Sequence, residues 1–278
     1  MKILITGSSS GIGRHLAAHL CAHGHEVWGL ARSVQTDFQH ECEARGQVFH
    51  AVGCDVSNWA AVAAARQQVG LQCAHLDALI CAAGAQPPIG PAMTLDPNAW
   101  MANVELNLGG TFFVIRAFHD LLRKGERRAK IVCFSGGGAT GPRPNFTAYG
   151  VSKAAIVRLC ETLAQEWAGQ PIDINAIAPG AINTKMTEEL LSLGAAVVGE
   201  KEYGQAQKQK QAGGHSLEKV AGLVEFLLSP QSDGVTGRLL SAQWDGWSGL
   251  PAHREELARS DIYTLRRIVP EDRGQKWE

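Results

Sequence analysis

The chain has 278 residues, 26 basic and 27 acidic side chains and a formal net charge of −1. That balance offers no global basic field to attract nucleic acid or an anionic membrane. No apolar run is long enough to span a bilayer, and the length suits one large domain with a sizeable core. Taken in chain order, strands are expected near 2–6, 26–31, 47–53, 76–82, 130–135, 172–177 and 237–242. Helices are expected near 12–23, 58–70, 97–123, 147–168 and 216–228. Strand and helix alternate throughout, which argues for an α/β fold with a doubly wound parallel sheet covered on both faces.

The first unit is a β-branched run, Ile3-Leu4-Ile5-Thr6, that meets the glycine-rich turn Gly7 to Gly13 and continues as a helix. Strand, glycine turn and helix are what a phosphate-cradling loop requires: glycines admit a pyrophosphate, and the helix N-terminus offers unpaired amides. His15, His19 and His23 then share one helix face at i, i+4, i+8 spacing, read as a solvated face in preference to a metal site. Further on, Tyr149-Gly150-Val151-Ser152-Lys153 opens an apolar helix with Tyr149 and Lys153 one turn apart. An ammonium there favours the phenolate and draws the tyrosine pKa from near ~10 toward the range useful for acid–base catalysis.

Residues 185–214 break the alternation with a Gln/Lys-rich segment ending in Gly213-Gly214, and residues 243–278 carry Trp244, Trp247 and Tyr263, too apolar for a free tail. That extension is expected to pack on the body or on a neighbouring subunit. Arg266 and Arg267 read as a salt-bridged surface pair, or alternatively as contacts to an anionic substrate. The seven cysteines show no Cys-x-x-Cys pairing. With a first strand that begins at once and leaves no room for a signal peptide, they suggest a reducing, cytoplasmic setting.

These motifs together resemble the short-chain dehydrogenase/reductase family in its compact, single-domain form, over about residues 2 to 242. The family's Thr-Gly-x-x-x-Gly-x-Gly is matched by Thr6, Gly7, Gly11 and Gly13, and its Asp-Val by Asp55 and Val56. Its Trp and Asn-x-x-Gly-x-Phe are matched by Trp100, Asn107, Gly110 and Phe112. Its Tyr-x-x-x-Lys is matched by Tyr149 and Lys153, and its Pro-Gly-x-x-x-Thr by Pro179, Gly180 and Thr184. The resemblance implies a Rossmann-type sheet with 185–214 as a mobile substrate flap. It implies an NAD(P)(H) site at Gly7, Ser9, Ser10, Gly11, Ile12, Asp55, Val56, Ala83, Gly84, Tyr149, Lys153, Pro179, Gly180, Ile182 and Thr184. It also implies Tyr149 as acid/base, Lys153 on the nicotinamide ribose, and Asn107 anchoring a water between Lys153 and solvent. Homodimers or homotetramers through helices 97–123 and 147–168 are expected, and no metal.

Two positions depart from the family pattern. Cys81-Ala82-Ala83-Gly84 lacks the usual asparagine, and the catalytic serine expected thirteen residues before the tyrosine is Gly136. Ser135, one residue earlier and followed by three glycines, is expected to shift into that role. At the end of the second strand, Ala31 replaces the acidic residue that would repel a 2′-phosphate, while Arg32 and Ser33 could bind one. NADP(H) is therefore favoured, with NAD(H) possible. The leading expectation is a carbonyl reductase or alcohol dehydrogenase acting on a small molecule. Competing with it are a cofactor-binding sensor or scaffold with little turnover, and a nucleotide-sugar epimerase or dehydratase.

Overall fold

Seven short apolar segments form one parallel sheet. In order come β1 (Lys2–Thr6), α1 (Gly11–Ala22), β2 (Glu26–Ala31), α2 (Thr36–Ala44), β3 (Val48–Gly53), α3 (Trp59–Gln72) and β4 (Ala78–Cys81). Helix α4 (Pro97–Val104) runs through a π-turn at Glu105–Gly109 into α5 (Gly110–Leu122). Then follow β5 (Ala129–Phe134), α6 (Thr147–Glu166), β6 (Ile172–Ala178), α7 (Lys185–Leu193), α8 (Ala195–Val198), α9 (Glu200–Gln211), α10 (Leu217–Leu228), β7 (Leu239–Ser241) and α11 (Arg254–Arg259). This computed structural model describes residues 1–33 and 35–277; Val34 and Glu278, the last residue of the extension, lie outside it.

The strand order is β3-β2-β1-β4-β5-β6-β7, so the winding reverses between β1 and β4. In sheets of this kind the crevice at the carboxyl ends of those two strands is where ligands bind. Alternate strand residues face opposite layers. Leu4, Leu79, Ile131 and Ile174 join α3, α5 and α6 on one side. Ile3, Ile5, Ile80 and Ile177 join α1, α2 and α10 on the other. Local chemistry starts several helices: Asn58 caps α3 by accepting from Ala61 N (3.0 Å), Asp96 caps α4 ahead of Pro97, and Ser216 caps α10.

Three features differ from the sequence expectation. Helix α2 was not anticipated; only Phe38 and Cys42 of its nine residues are buried, too few to show a period. The long helix expected at 97–123 carries the π-turn in its middle. The flap region is three consecutive helices, α7 to α9, closed by Gly213 and Gly214 at positive φ (85° and 72°).

Beyond β7, the extension lies against the body. Trp247 packs on Phe226, and Leu250 and Leu257 are buried. The guanidinium of Arg238, itself buried, donates to the carbonyls of Leu257, Ser260 (3.0 Å) and Ile262 (2.7 Å). Glu161 of α6 accepts from Leu265 N (2.6 Å). Arg266 pairs with Asp261 and Asp272, the structural role read from the sequence, while Arg267 lends it a carbonyl.

Candidate active site

The glycine turn sits at the crevice, and its glycines are required by contact. A Cβ on Gly7 (φ 72°) would lie 2.9 Å from the Ala83 backbone, and one on Gly13 would lie 2.3 Å from the Gly7 carbonyl oxygen. Gly11 (φ 56°) faces the Thr184 methyl at 3.6 Å, so the Pro179–Thr184 segment meets the first turn. Ser10 is the N-cap of α1 but makes no side-chain capping bond. With Ser9 and Gly11 exposed and Ile12 half-buried, the positive end of α1 is turned to the crevice. Thr6 Oγ1 accepts from Ala82 N and Ala83 N, both at 3.1 Å, and ties the ends of β1 and β4 together where the family asparagine is missing.

At the end of β2, Arg32 and Ser33 share one open pocket with Ser9. Nearby, Ser57 donates both its hydroxyl (2.7 Å) and its amide (3.0 Å) to Asp55 Oδ1. These bonds, the hydroxyl's foremost, hold the Asp55 carboxyl below its ordinary value, with a smaller contribution from the Arg32 charge. Val56 is buried against Gly110, where any side chain would meet its Cγ2 at 2.9 Å.

The catalytic candidates converge at the carboxyl ends of β4 and β5. Tyr149 and Lys153 are both buried in the first turns of α6, with Lys153 Nζ 5.4 Å from the Tyr149 ring centre. Lys153 Nζ donates to the Phe134 carbonyl (2.9 Å) and lies 3.4 Å from where a Gly84 side chain would begin. The same position on Gly84 is 2.5 Å from Asn107 Oδ1, which accepts from Ala85 N. Asn107 sits within the π-turn, a device common at functional sites. Its amide donates to Ala85 O and to Asn103 O, each at 3.0 Å. Asn103 in turn donates to Ala85, Gln86 and Pro87 carbonyls, so these two asparagines fix the loop after β4. The side chain of Asn107 is thus engaged with protein, and its backbone carbonyl accepts from Thr111 Oγ1 (2.7 Å).

Ser135 does not take the catalytic-serine position. It is buried, and its hydroxyl donates to the Lys153 carbonyl at 3.0 Å, away from the crevice. The glycine run does not shift the strand to expose it. Gly138 adopts φ 96° because α6 crosses there, with a side chain at 138 landing 2.7 Å from Gly150 Cα. Gly136 is the residue that faces the tyrosine, a Cβ there falling 2.8 Å from Tyr149 Oη.

The electrostatics also differ from the sequence argument. Burial pushes the Tyr149 phenol above its ordinary value, and the charge opposing that rise is Arg143, not Lys153. Burial brings the Lys153 ammonium down to about 8, against a smaller upward pull from Cys133 and Cys81. Arg143 was not anticipated from the sequence, although a cation in the loop just before the Tyr149 helix is a usable signal. Its guanidinium lies 3.7 Å over the Phe146 ring and 6.0 Å from the Tyr149 ring centre. Nε (3.0 Å) and Nη2 (2.8 Å) both donate to Glu202 of α9, while Nη1 lies on the Gly137 side.

Helices α7 to α9 pack against this site. Leu190, Val198 and Ala206 join Ile89, Phe146 and Tyr149 in a third apolar cluster flanked by Tyr203. Asn145 (φ 67°) donates to Val198 O (3.1 Å). Both stems are held: Gln243 Nε2 donates to Pro179 O and Ser216 O, and His215 Nδ1 accepts from Ala181 N. Gly180 (φ 86°) lies beneath, where a side chain would collide with Gln243 and His215, and Ile182 is buried beside it.

Comparison with known proteins identifies the family and the fold. A family model described as Enoyl-(Acyl carrier protein) reductase matches residues 7–243. The chain is 31% identical over 276 residues to the short chain dehydrogenase mpl6 of Monascus purpureus, covering 96% of this chain and 88% of that one. It is 30% identical over 189 residues to a 2-dehydro-3-deoxy-L-rhamnonate dehydrogenase (NAD(+)) of a Sphingomonas species, covering 67% of this chain and 74% of the other. Among solved structures, a short-chain type dehydrogenase/reductase from Mycobacterium ulcerans superposes with a TM-score of 0.73 at 28% identity, covering 93% and 97% of the two chains. With its Rossmann-like parallel sheet and a family match over nearly its whole length, the chain belongs to the short-chain dehydrogenase/reductase family of oxidoreductases.

Proposed function

We propose that this chain is an NADP(H)-dependent reductase or dehydrogenase moving a hydride between the nicotinamide and a carbonyl or secondary-alcohol carbon of a small molecule. The observation that carries this reading is the buried Tyr149–Lys153 pair beside Gly84 at the end of a glycine-lined crevice. The residues present fit a dinucleotide: Gly7 and Gly13 let the first turn pack tightly on the ends of β1 and β4, Ser9 and Gly11 stay exposed at the start of α1, and Ser9 shares an open pocket with Arg32 and Ser33. Gly7, Ser9, Ser10, Gly11 and Ile12 would hold the pyrophosphate, Asp55 and Val56 the adenine, and Arg32 and Ser33 the 2′-phosphate. Ala83, Gly84, Pro179, Gly180, Ile182 and Thr184 would border the nicotinamide half.

The bound nicotinamide supplies or accepts the hydride. Tyr149, kept protonated by burial, donates its proton to the substrate oxygen in the reductive direction. Lys153, poised at about 8, exchanges protons near neutrality and returns one to the tyrosine. Gly136 brings no hydroxyl, so the field of Arg143, whose guanidinium lies 6.0 Å from the Tyr149 ring centre, would supply part of the stabilisation of charge at that oxygen. The apolar cluster packed around Tyr149, with Ile89, Leu190 and the neighbouring Tyr203, would favour a substrate with an apolar body. A second copy would cover Met101, Phe112 and Val151, which are exposed on α4, α5 and α6. The seven free thiols fit a reducing compartment such as the cytoplasm.

Titrating NADPH and NADH against the protein and Arg32→Ala, by nicotinamide fluorescence, tests the cofactor assignment. Tight NADPH binding that collapses in the variant supports it; NADH binding as strong or stronger refutes it. The Sphingomonas relative is named for NAD(+), which makes Arg32 the residue to test. The inward turn of Ser135 favours one second reading, a cofactor-binding sensor. An enzyme turns over carbonyl substrates and loses this in Tyr149→Phe while keeping its cofactor, whereas a sensor shows no turnover in either form.

A further inference from the structure

Far from the crevice, the histidine face of α1 meets a carboxylate that the linear sequence places 202 residues beyond His23. Glu225 of α10 puts Oε1 2.9 Å from His19 Nε2 and 3.8 Å from His23 Nε2. The ligand-capable atoms of all three lie within 4.8 Å of one another, and no other His, Cys, Asp or Glu trio among the described residues does so. A tetrahedral Zn²⁺ with bonds of about 2.0–2.1 Å holds its ligand atoms roughly 3.3–3.4 Å apart. The two separations to Glu225 bracket that value and the third is within 4.8 Å, so rotamer adjustments would bring the three atoms to tetrahedral spacing.

A second observation concerns the protons. His23 Nδ1 bonds the His19 carbonyl at 2.8 Å, and a carbonyl can only accept. Nδ1 therefore carries the hydrogen, and in the neutral ring the lone pair sits on Nε2, the atom facing Glu225. Backbone support of this kind is what fixes the tautomer and aim of metal-binding histidines. Two imidazoles and one carboxylate suit zinc over calcium or magnesium, which prefer all-oxygen shells. His19 is partly buried and His23 half-exposed, so an ion could enter from solvent and keep a water as its fourth ligand. His15, one turn earlier, faces Glu218 instead (3.6 Å).

We propose that His19, His23 and Glu225 form a Zn²⁺ site that pins α1, the helix bearing the glycine turn, to α10. The test is calorimetric titration of the untagged, chelator-stripped full chain with ZnCl₂, beside His23→Ala and Glu225→Gln. The expected result is one equivalent bound at micromolar or tighter affinity, with a zinc-dependent rise in melting temperature. Each variant should bind at least tenfold more weakly and lose that rise. Absence of stoichiometric binding to the wild type, or undiminished affinity in either folded variant, overturns the proposal. If a variant fails to fold by circular dichroism, the wild-type Co²⁺ spectrum decides. Tetrahedral visible bands without thiolate charge transfer support the site, whereas thiolate charge transfer moves the metal to the cysteines and refutes it.

Discussion

Replacing Ser135 with alanine separates a structural hydroxyl from a catalytic one. The side chain is 2% exposed and donates to the Lys153 carbonyl at 3.0 Å. Its loss removes one neutral hydrogen bond, worth about 1 kcal/mol of stability, from a carbonyl that keeps its place in the α6 ladder. The turn of helix bearing Lys153 loses a tether but no contact to substrate, so turnover should stay within about fivefold, the rate equivalent of ~1 kcal/mol. An oxyanion donor behaves otherwise, its removal costing roughly 10²–10³ in kcat. The assay pairs kcat and KM, with NADPH and a carbonyl substrate found by screening, with a thermal melt of both proteins. A hundredfold fall in kcat with an unchanged melt would show that Ser135 reaches the substrate and that the geometric reasoning is wrong. Gly136→Ala is the counterpart: its Cβ would lie 2.8 Å from Tyr149 Oη, and a displaced phenol should cost on the order of 10²-fold in turnover.

Tyr149→Phe should reduce turnover by about 10²–10⁴-fold with cofactor affinity unchanged, read by steady-state kinetics and fluorescence titration. Lys153 gives a pH signature. Its folded pKa of about 8 lies below the ordinary 10.5, so between those values the unfolded chain binds a proton that the native one does not. Native stability should therefore rise with pH across that window relative to Lys153→Met, in denaturant melts of both proteins; a flat difference would contradict the buried-lysine assignment. Arg238→Met should release the extension. The three carbonyl bonds of Arg238 would be lost together, costing roughly 3 kcal/mol, and limited proteolysis should cut within 243–277 while sparing the body.

The sheet was readable because each strand is a short apolar run between helices with clear periods, and the glycine and tyrosine motifs mark their own local geometry. Helix α2 was not, because Thr36 to Ala44 is mostly polar and buries only two side chains. The direction of Ser135 was not legible because it is set by a bond to residue 153, a contact across the sheet–helix interface that strand position alone does not reveal. Arg143 owes its position to Glu202, 59 residues away on α9. Glu225 reaches His19 across 206 residues. In each case the missing information was the partner, which only the tertiary packing supplies.

The π-turn at Glu105–Gly109 also has a consequence for how the long helical arm divides its work. One extra residue in a turn rotates everything beyond it by about 100° relative to an uninterrupted α-helix. The half before the turn packs on α6 and the half after it on α3. A single deletion within 105–109 would restore an unbroken helix at no cost in length of hydrophobic sequence, yet it would put the two halves out of phase with their neighbours. The arm therefore tolerates substitution along its surface far better than any change in residue count, and its register is the more tightly constrained property.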